Sequence, residues 1–212
     1  MLKIKQLKGK AKYQVINNKM IKQVKKVSEN INNEEIWFLE HEEVFTAGSS
    51  TSKDFKKRRI NKIPVVNINR GGKITYHGPG QLVIYPILNL KKRKMNIIKY
   101  IDLLENICID VFKNNSIALF KKKEKNRGLW VSINNIHKKI IFIGLRYSKG
   151  VIYHGLSINF DNNLVNFRTI TPCGLDANEI SSLKELKISY NKKKLINQIK
   201  DKFIEIFDSN LS

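Results

Sequence analysis

The sequence has few cysteines, few acidic residues and no long hydrophobic run, and each shortage excludes a class of protein. Two cysteines among 212 residues are too few for a disulfide framework or a four-cysteine zinc site. No apolar run approaches the roughly 20 residues of a membrane-spanning helix. The basic N-terminus also lacks the apolar segment of a secretory signal. We therefore expect a cytoplasmic protein that binds no membrane.

Basic residues outnumber acidic ones by 40 to 18, and the resulting net charge of +22 suggests a nucleic-acid partner. However, 33 of the 40 are lysine, whereas surfaces that read bases and phosphates rely on the bidentate guanidinium of arginine. Asparagine and isoleucine are also abundant, with 24 and 31 residues, so a coding bias accounts for most of the charge. The stacking motifs of RNA-binding modules are absent. We predict no nucleic-acid partner and keep an RNA-binding protein as an alternative.

Hydrophobic periodicity predicts three helices and six strands. Apolar residues recur at helical spacing at about 20–28, 95–113 and 191–208. Strand-like runs occur at 36–39, 65–68, 82–85, 129–133, 140–145 and 151–160. Hairpin turns are expected at 134–135 and 148–150, and Pro86 is expected to end the third run. Consecutive hairpins with helices at the ends and middle indicate an α+β fold, a mixed β-sheet flanked by helices. No linker divides the chain, so we expect a single domain over residues 1–212.

A glycine-rich segment, residues 70–81, is the densest unusual stretch of the chain. It holds 4 of the 11 glycines and follows a predicted strand directly. Glycines let a backbone approach a ligand and expose its N–H groups. The spacing matches neither a Walker A loop nor a dinucleotide-binding loop. The segment is therefore a candidate ligand site, and the alternative is a long hairpin connection that needs positive φ angles.

Three further residues are candidates for chemistry, and a fourth, Cys108, is expected to be structural. Cys173 lies between a proline and a glycine, a rigid turn that would expose a nucleophilic thiol, although an incidental loop cysteine fits equally well. Cys108 falls on the apolar stripe of a predicted helix and is expected in the core. Lys139 opens an apolar strand, where desolvation would tune its pKa, but its pattern alone favours a solvated side chain. His154 is either a general base or a hydrogen-bonded core histidine.

Four motifs follow one another along the chain. They are R-G-G-x-x-T-Y-H-G-P-G-Q-L-V-x-Y-P-I at 70–87, K-I-x-x-x-G-x-R at 139–146, H-G-L-x-x-N at 154–159 and P-C-G at 172–174. Their order and spacing resemble those of the lipoyl(octanoyl) transferase family. The resemblance runs from about residue 13 to 185. The lysine run at 121–126 and the terminal helix expected at about 191–208 match no family motif. Glu42 and Glu43 stand where many members have prolines.

The resemblance implies a fold shared with biotin and lipoate protein ligases. It implies transfer of an octanoyl group from octanoyl-acyl carrier protein to a lysine of a lipoyl domain, the first step of endogenous protein lipoylation. The acceptors would be lipoyl domains of lipoate-dependent enzymes, namely the E2 subunits of 2-oxoacid dehydrogenases and the H protein of glycine cleavage. The donor is already an activated thioester, so neither ATP nor a metal is expected as a cofactor.

The resemblance also implies roles for individual residues. Cys173 falls on the cysteine that carries the acyl group as a thioester. Lys139 falls on the lysine that lowers the pKa of that cysteine and acts as acid and base. The acyl-binding positions of the family fall on Arg70, Gly71, Gly72, Lys73, Ile74, Thr75, Tyr76, His77, Phe142, Ile143, Gly144, Gly155, Leu156 and Ser157.

Two enzymatic alternatives remain. An ATP-dependent lipoate or biotin ligase shares the expected fold, but it carries a different glycine-rich stretch and needs no nucleophilic cysteine. A cysteine hydrolase that uses Cys173 and His154 would release free octanoate instead of transferring it.

Overall fold

The computed structural model describes residues 2–51, 57–122, 127–170 and 176–208. Within these ranges the chain forms strands and helices in the order β1 (Lys3–Ala11), α1 (Tyr13–Glu29), β2 (Glu35–His41), β3 (Val44–Ala47), β4 (Arg59–Ile60), β5 (Ile63–Asn67), β6 (Thr75–His77), β7 (Gln81–Asn89), α2 (Ile97–Lys113), β8 (Phe120–Lys121), β9 (Gly128–Ile133), β10 (Ile136–Ser148), β11 (Val151–Asn159) and α3 (Lys192–Asp208). In these ranges no helix is both long enough and apolar enough to span a bilayer.

The strands form two sheets. The larger has seven strands in the order β1-β2-β7-β11-β10-β9-β8, and the smaller has four in the order β4-β5-β3-β6. The β1–β2 and β3–β5 pairs are parallel, whereas the other pairs are antiparallel. The expected mixed sheet flanked by helices is therefore confirmed.

The larger sheet is buried on both faces because its strands alternate between two apolar clusters. Phe38 and Ile84 pack towards α2 and α3, whereas Trp37 and Val83 pack towards α1. A third cluster, around Trp130 and Phe142, connects the two sheets. At roughly 25 cal/mol per Å² of buried apolar surface, these clusters supply the main stabilisation of the fold.

Local sequence signals explain several boundaries. The Asn96 side chain caps α2 by accepting a hydrogen bond of 2.8 Å from the Lys99 N–H. Both expected hairpin turns are present. Asn134 and Asn135 have φ angles of 50° and 62°, the left-handed pair that two-residue hairpins require.

Two expectations about strands were wrong. β1 was not predicted, because its sequence has no apolar–polar alternation and its strand conformation depends on pairing with β2. It forms the edge of the sheet, where exposed lysines discourage pairing with another chain. β7 does not end at Pro86 but continues to Asn89, and Pro86 pairs with Ile36 of β2. On the other side of β7, the pairing with β11 is interrupted between Leu88 and Ile84, next to the proline that has no N–H to donate.

Candidate functional site

A pocket opens on the face of the larger sheet that α1 covers. It is narrow: its space measures about 430 Å³ with open solvent included, of which only about 40 Å³ can hold the centre of a water molecule. Nine of the fourteen residues expected to bind an acyl group line it: Arg70, Thr75, His77, Phe142, Ile143, Gly144, Gly155, Leu156 and Ser157. Gly71, Gly72, Lys73, Ile74 and Tyr76 do not line it. Three segments distant in sequence thus converge on one pocket.

The glycine-rich segment is held in place by Arg70. The guanidinium of Arg70 donates to the Thr46 carbonyl at 2.8 Å and to the Thr46 hydroxyl at 3.0 Å. A Cβ on Gly48 would lie 2.7 Å from that guanidinium and 2.3 Å from the Gly72 carbonyl oxygen, so this approach requires glycine. The Gly71 N–H donates to the Leu145 carbonyl at 2.8 Å. This N–H is therefore not available to a ligand.

The glycine-rich segment is only partly a loop, because part of it belongs to a buried strand. Thr75–His77 form β6, and all three are buried. The Tyr76 ring turns into the cluster between the two sheets, where its hydroxyl donates to Glu43 at 2.7 Å. Glu43 thus gives this buried tyrosine a hydrogen-bond partner.

Two glycines lie in the floor of the pocket. Gly144 of β10 and Gly155 of β11 are direct cross-strand partners, two residues along the strands from the Phe142–Ser157 pair. Other atoms pack where their side chains would lie. A Cβ on Gly155 would lie 2.1 Å from the Ile84 carbonyl oxygen, and one on Gly144 would lie 3.1 Å from Cδ of Arg70. Close approach by backbone and by the arginine stem explains both glycines.

Buried histidines and tyrosines form one wall. His41 Nδ1 lies 3.0 Å from the Ala11 carbonyl, which can only accept, so Nδ1 carries the proton. His41 Nε2 then accepts from the Tyr85 hydroxyl at 2.9 Å. Burial lowers the pKa of His41 to about 4, and it lowers the pKa values of His77 and His154 to about 3, with the nearby Arg70 adding to the effect on both. All three imidazoles are neutral at pH 7.

A buried polar network connects the glycine-rich segment to the far end of β11. Nδ1 of His77 donates to the side-chain oxygen Oε1 of Gln81 at 2.6 Å, and Nε2 of Gln81 donates to Oδ1 of Asn159 at 2.9 Å. The Asn159 amide in turn donates to the Ser181 carbonyl at 2.9 Å. Because every step is buried, breaking one leaves an unsatisfied polar group and loosens the register of the segments.

Lys139 is buried, with 1 % of its surface exposed, so the solvated interpretation of this residue was wrong. Its Nζ donates to the Arg127 carbonyl at 2.6 Å. Nζ also lies 5.1 Å from the ring centroid of Phe142 and 5.5 Å from that of Trp130. The ammonium group therefore borders the Phe142 end of the pocket.

The two cysteines differ. Cys173 lies outside the described residues, as do its neighbours from 171 to 175. The chain on either side is described. Ile170 packs in the cluster that contains Phe142, and Ile180 forms a parallel bridge with Lys139. Cys108 is buried in α2, and burial raises its pKa to about 12, so it is a core residue as expected.

Tyr13, Val83, Tyr85 and His154 also line the pocket. Val83 and Tyr85 fall inside the motif at 70–87, and their alternation along β7 puts both on one face. Tyr13 begins a helix far away in sequence, and no local signal indicated its place. His154 had been considered only as a base or a core residue. The described ranges contain no group of three or more potential metal ligands.

Comparison with known proteins supports the resemblance. The model of the lipoyl protein ligase A/B catalytic domain matches residues 19–207. An octanoyltransferase of Wolbachia sp. subsp. Brugia malayi is 39 % identical over 89 % of this chain and 91 % of its own length. An octanoyltransferase of Buchnera aphidicola is 42 % identical over 84 % of this chain and 82 % of its own.

Solved structures with the same fold include a bi-partite lipoate protein ligase from Thermoplasma acidophilum. It has a TM-score of 0.68 at 12 % identity, and the match covers 96 % of this chain and 82 % of that ligase. A lipoate-protein ligase A bound with ATP has a TM-score of 0.67 at 12 % identity, and the match covers 96 % of this chain and 85 % of that ligase. These identities show the fold alone, which is the ligase-like fold expected from the motifs. The family model and the relatives together show that this chain belongs to the lipoyl protein ligase A/B catalytic domain family.

Proposed function

We propose that this protein is a cytoplasmic octanoyltransferase that moves an octanoyl group from octanoyl-acyl carrier protein to a lysine of a lipoyl domain. The acyl group is carried in between as a thioester on Cys173. The observation that carries this proposal is the narrow pocket together with a buried lysine ammonium 5.1 Å from the ring centroid of Phe142, one of its lining residues. The octanoyltransferases among its relatives favour the same reaction.

The chain near residue 173 supports a role for Lys139. Only the five residues 171–175 separate Ile170 from the described segment that leads to Ile180. Ile170 packs beside Phe142, and the Ser181 N–H donates to the carbonyl of Lys139 at 3.1 Å. The described residues on both sides of 171–175 thus contact Lys139 or the cluster beside its ammonium, which supports the pairing of Cys173 with Lys139.

The chemistry follows from that pairing. Lowering a cysteine pKa from about 8.5 to about 7 takes roughly 2 kcal/mol of differential interaction, which a nearby ammonium in a poorly solvated site supplies. The Cys173 thiolate attacks the carbonyl carbon of the donor thioester. As the bond to the carrier sulfur breaks, Lys139 gives that sulfur a proton. When the lipoyl-domain amine attacks the acyl-enzyme, the now neutral Lys139 takes the amine proton, and Cys173 departs as a thiolate.

The pocket walls match the acyl chain. Val83 and Phe142 supply apolar surface, and the backbone of Gly144 and Gly155 lines the pocket between them. The protein substrates would approach from outside. Carrier proteins and lipoyl domains are typically acidic, and a protein with a net charge of +22 attracts them over about a Debye length.

A donor comparison tests the proposal. The protein is mixed with an unmodified lipoyl domain and with either octanoyl-acyl carrier protein alone or octanoate plus ATP. We expect acylated lipoyl domain only with the carrier thioester. Cys173→Ala is expected to abolish transfer, whereas the matched Cys108→Ala variant retains it. Modification that requires ATP and survives Cys173→Ala would assign the protein to the ligases, and release of free octanoate would assign it to the hydrolases.

A further inference from the structure

His154 occupies an unusual backbone position at the pocket wall. It lies in β11 where pairing with β7 is interrupted beside Pro86, and its φ angle is 60°. Few residues with a Cβ adopt this left-handed conformation, and such outliers concentrate at functional sites. The regular alternation of β11 would place His154 with Ile152 and Leu156, in the core that faces α2 and α3. Its ring instead lies 5.9 Å from that of Tyr85 and lines the pocket.

The same wall contains polar atoms without hydrogen-bond partners. Among the described residues, none pairs with Nδ1 of His154, the Thr75 hydroxyl or the Tyr13 hydroxyl. All three side chains are more than nine-tenths buried, and all three line the pocket. Buried polar groups are nearly always paired, so this concentration marks a place where a ligand or water makes hydrogen bonds.

We propose that His154, Thr75 and Tyr13 form a polar closed end of the acyl slot, and that this polar end sets the chain length by favouring acyl groups that stop short of it. This inference rests on the proposed function, since it takes the reacting carbonyl to lie at the Lys139 end. The residues act by direct contact with the chain terminus, or with the water that an eight-carbon chain leaves in place.

Strand geometry supports this length. Lys139 Nζ lies beside Phe142, and His154 pairs with Leu145, three residues further along β10. Three residues of strand span about 10 Å. A fully extended octanoyl chain measures roughly 9 Å, and a decanoyl chain is roughly 2.5 Å longer. Octanoyl therefore ends at the polar wall, whereas decanoyl would press an apolar terminus against it.

That contact determines the expected selectivity. A terminus that displaces water from an unpaired buried nitrogen or hydroxyl leaves that group unsatisfied. The usual cost of an unsatisfied group corresponds to a factor of about 5 to 150 in kcat/KM. His154 stays neutral in the pocket, because burial and Arg70 lower its pKa to about 3. The end wall therefore acts by hydrogen bonding and not through a charge.

The test compares decanoyl- and octanoyl-acyl carrier protein as donors in the full-length protein. For each variant the ratio of the two kcat/KM values is measured. Tyr13→Phe and Thr75→Val remove only a hydroxyl and keep the shape of the wall. His154→Phe removes the ring nitrogens at similar size. We expect the decanoyl-to-octanoyl ratio to rise about fivefold or more in His154→Phe and in the Tyr13→Phe, Thr75→Val double variant.

The outcomes separate the two proposals. If His154→Phe fails to fold because of its left-handed backbone, the double variant decides. An unchanged ratio in the folded variants overturns the polar-end proposal while leaving octanoyl transfer intact. A ratio that rises only in His154→Ala, which merely removes bulk, also overturns it, because the wall would then select by shape. A wild-type protein that accepts neither donor refutes the proposed function itself.

Discussion

The three buried histidines predict a steep loss of stability in mild acid. His41, His77 and His154 have pKa values of about 4, 3 and 3 in the folded protein, against about 6.5 in an unfolded chain. As the pH falls below 6.5, the unfolded chain binds protons that the folded protein does not. Folding stability therefore decreases as the pH falls from 6.5 towards the folded values, and no contribution is lost above about pH 7.

The magnitude follows from proton linkage. Once a histidine is protonated in the unfolded chain, it lowers the free energy of unfolding by up to about 1.4 kcal/mol for each unit that the pH falls. Integrated from pH 7 to pH 5.5, the loss is about 1.2 kcal/mol for each and about 4 kcal/mol for the three together. Most carboxyl groups titrate below this window, so the histidines dominate within it. A loss of this size is a large share of the 5–15 kcal/mol that stabilises a typical domain.

Urea unfolding at several pH values between 7 and 5.5 measures this effect. The slope of the unfolding free energy against pH gives the number of protons taken up, which we expect to approach three at pH 5.5. His154→Asn is the matched variant, because asparagine tolerates the left-handed backbone and does not titrate. Its slope should fall by about one third. A stability that is flat across this window, or an unchanged slope in His154→Asn, would refute the assignment of neutral buried imidazoles.

Three substitutions give further tests. Gly155→Ala places a methyl group 2.1 Å from a carbonyl oxygen of β7, so it should lower the free energy of unfolding by about 1–3 kcal/mol or more. Gly9→Ala is the control, because no atom lies within 4 Å of the new methyl group, and it should cost only about 1 kcal/mol. Lys139→Arg should slow acyl transfer about 100-fold or more, measured with octanoyl-acyl carrier protein, because a guanidinium stays protonated; near-normal rates would exclude proton transfer by Lys139. Arg93→Leu should cost about 3–5 kcal/mol, since its buried partner Glu34 loses an ion pair of 2.5 Å; a loss below 1 kcal/mol in urea unfolding would contradict this.

The fold was predictable where the pattern was local. The stripe of α2 and the asparagine pair at 134–135 each follow from nearby residues. β1 was missed because its strand conformation depends on pairing with β2, which comes later in the chain. The strand end predicted at Pro86 was wrong. A proline normally ends a central strand, but here β7 continues and its pairing with β11 is interrupted beside the proline instead.

The site was predictable mainly through the motifs. Residues 142–144 and 155–157 meet because β10 and β11 are neighbours in the larger sheet, and residues 70–77 join them through the hydrogen bond from Gly71 to Leu145 of β10. Periodicity alone does not reveal either contact. The burial of Lys139 depends on the rings of Trp130 and Phe142 and on a glycine at 128 that leaves room for its stem. Tyr13 joins the pocket through the docking of α1, so no short-range signal could have indicated it.

The account depends most on a covalent octanoyl thioester at Cys173, and intact mass spectrometry tests this directly. The purified protein is mixed with octanoyl-acyl carrier protein, and its mass is then measured before and after addition of an unmodified lipoyl domain. We predict a gain of one octanoyl group on the wild-type protein and on Cys108→Ala, none on Cys173→Ala, and loss of the gain as the lipoyl domain is acylated. An acylated Cys173→Ala protein, or a lipoyl domain acylated with no acyl-enzyme at any time, would contradict the mechanism.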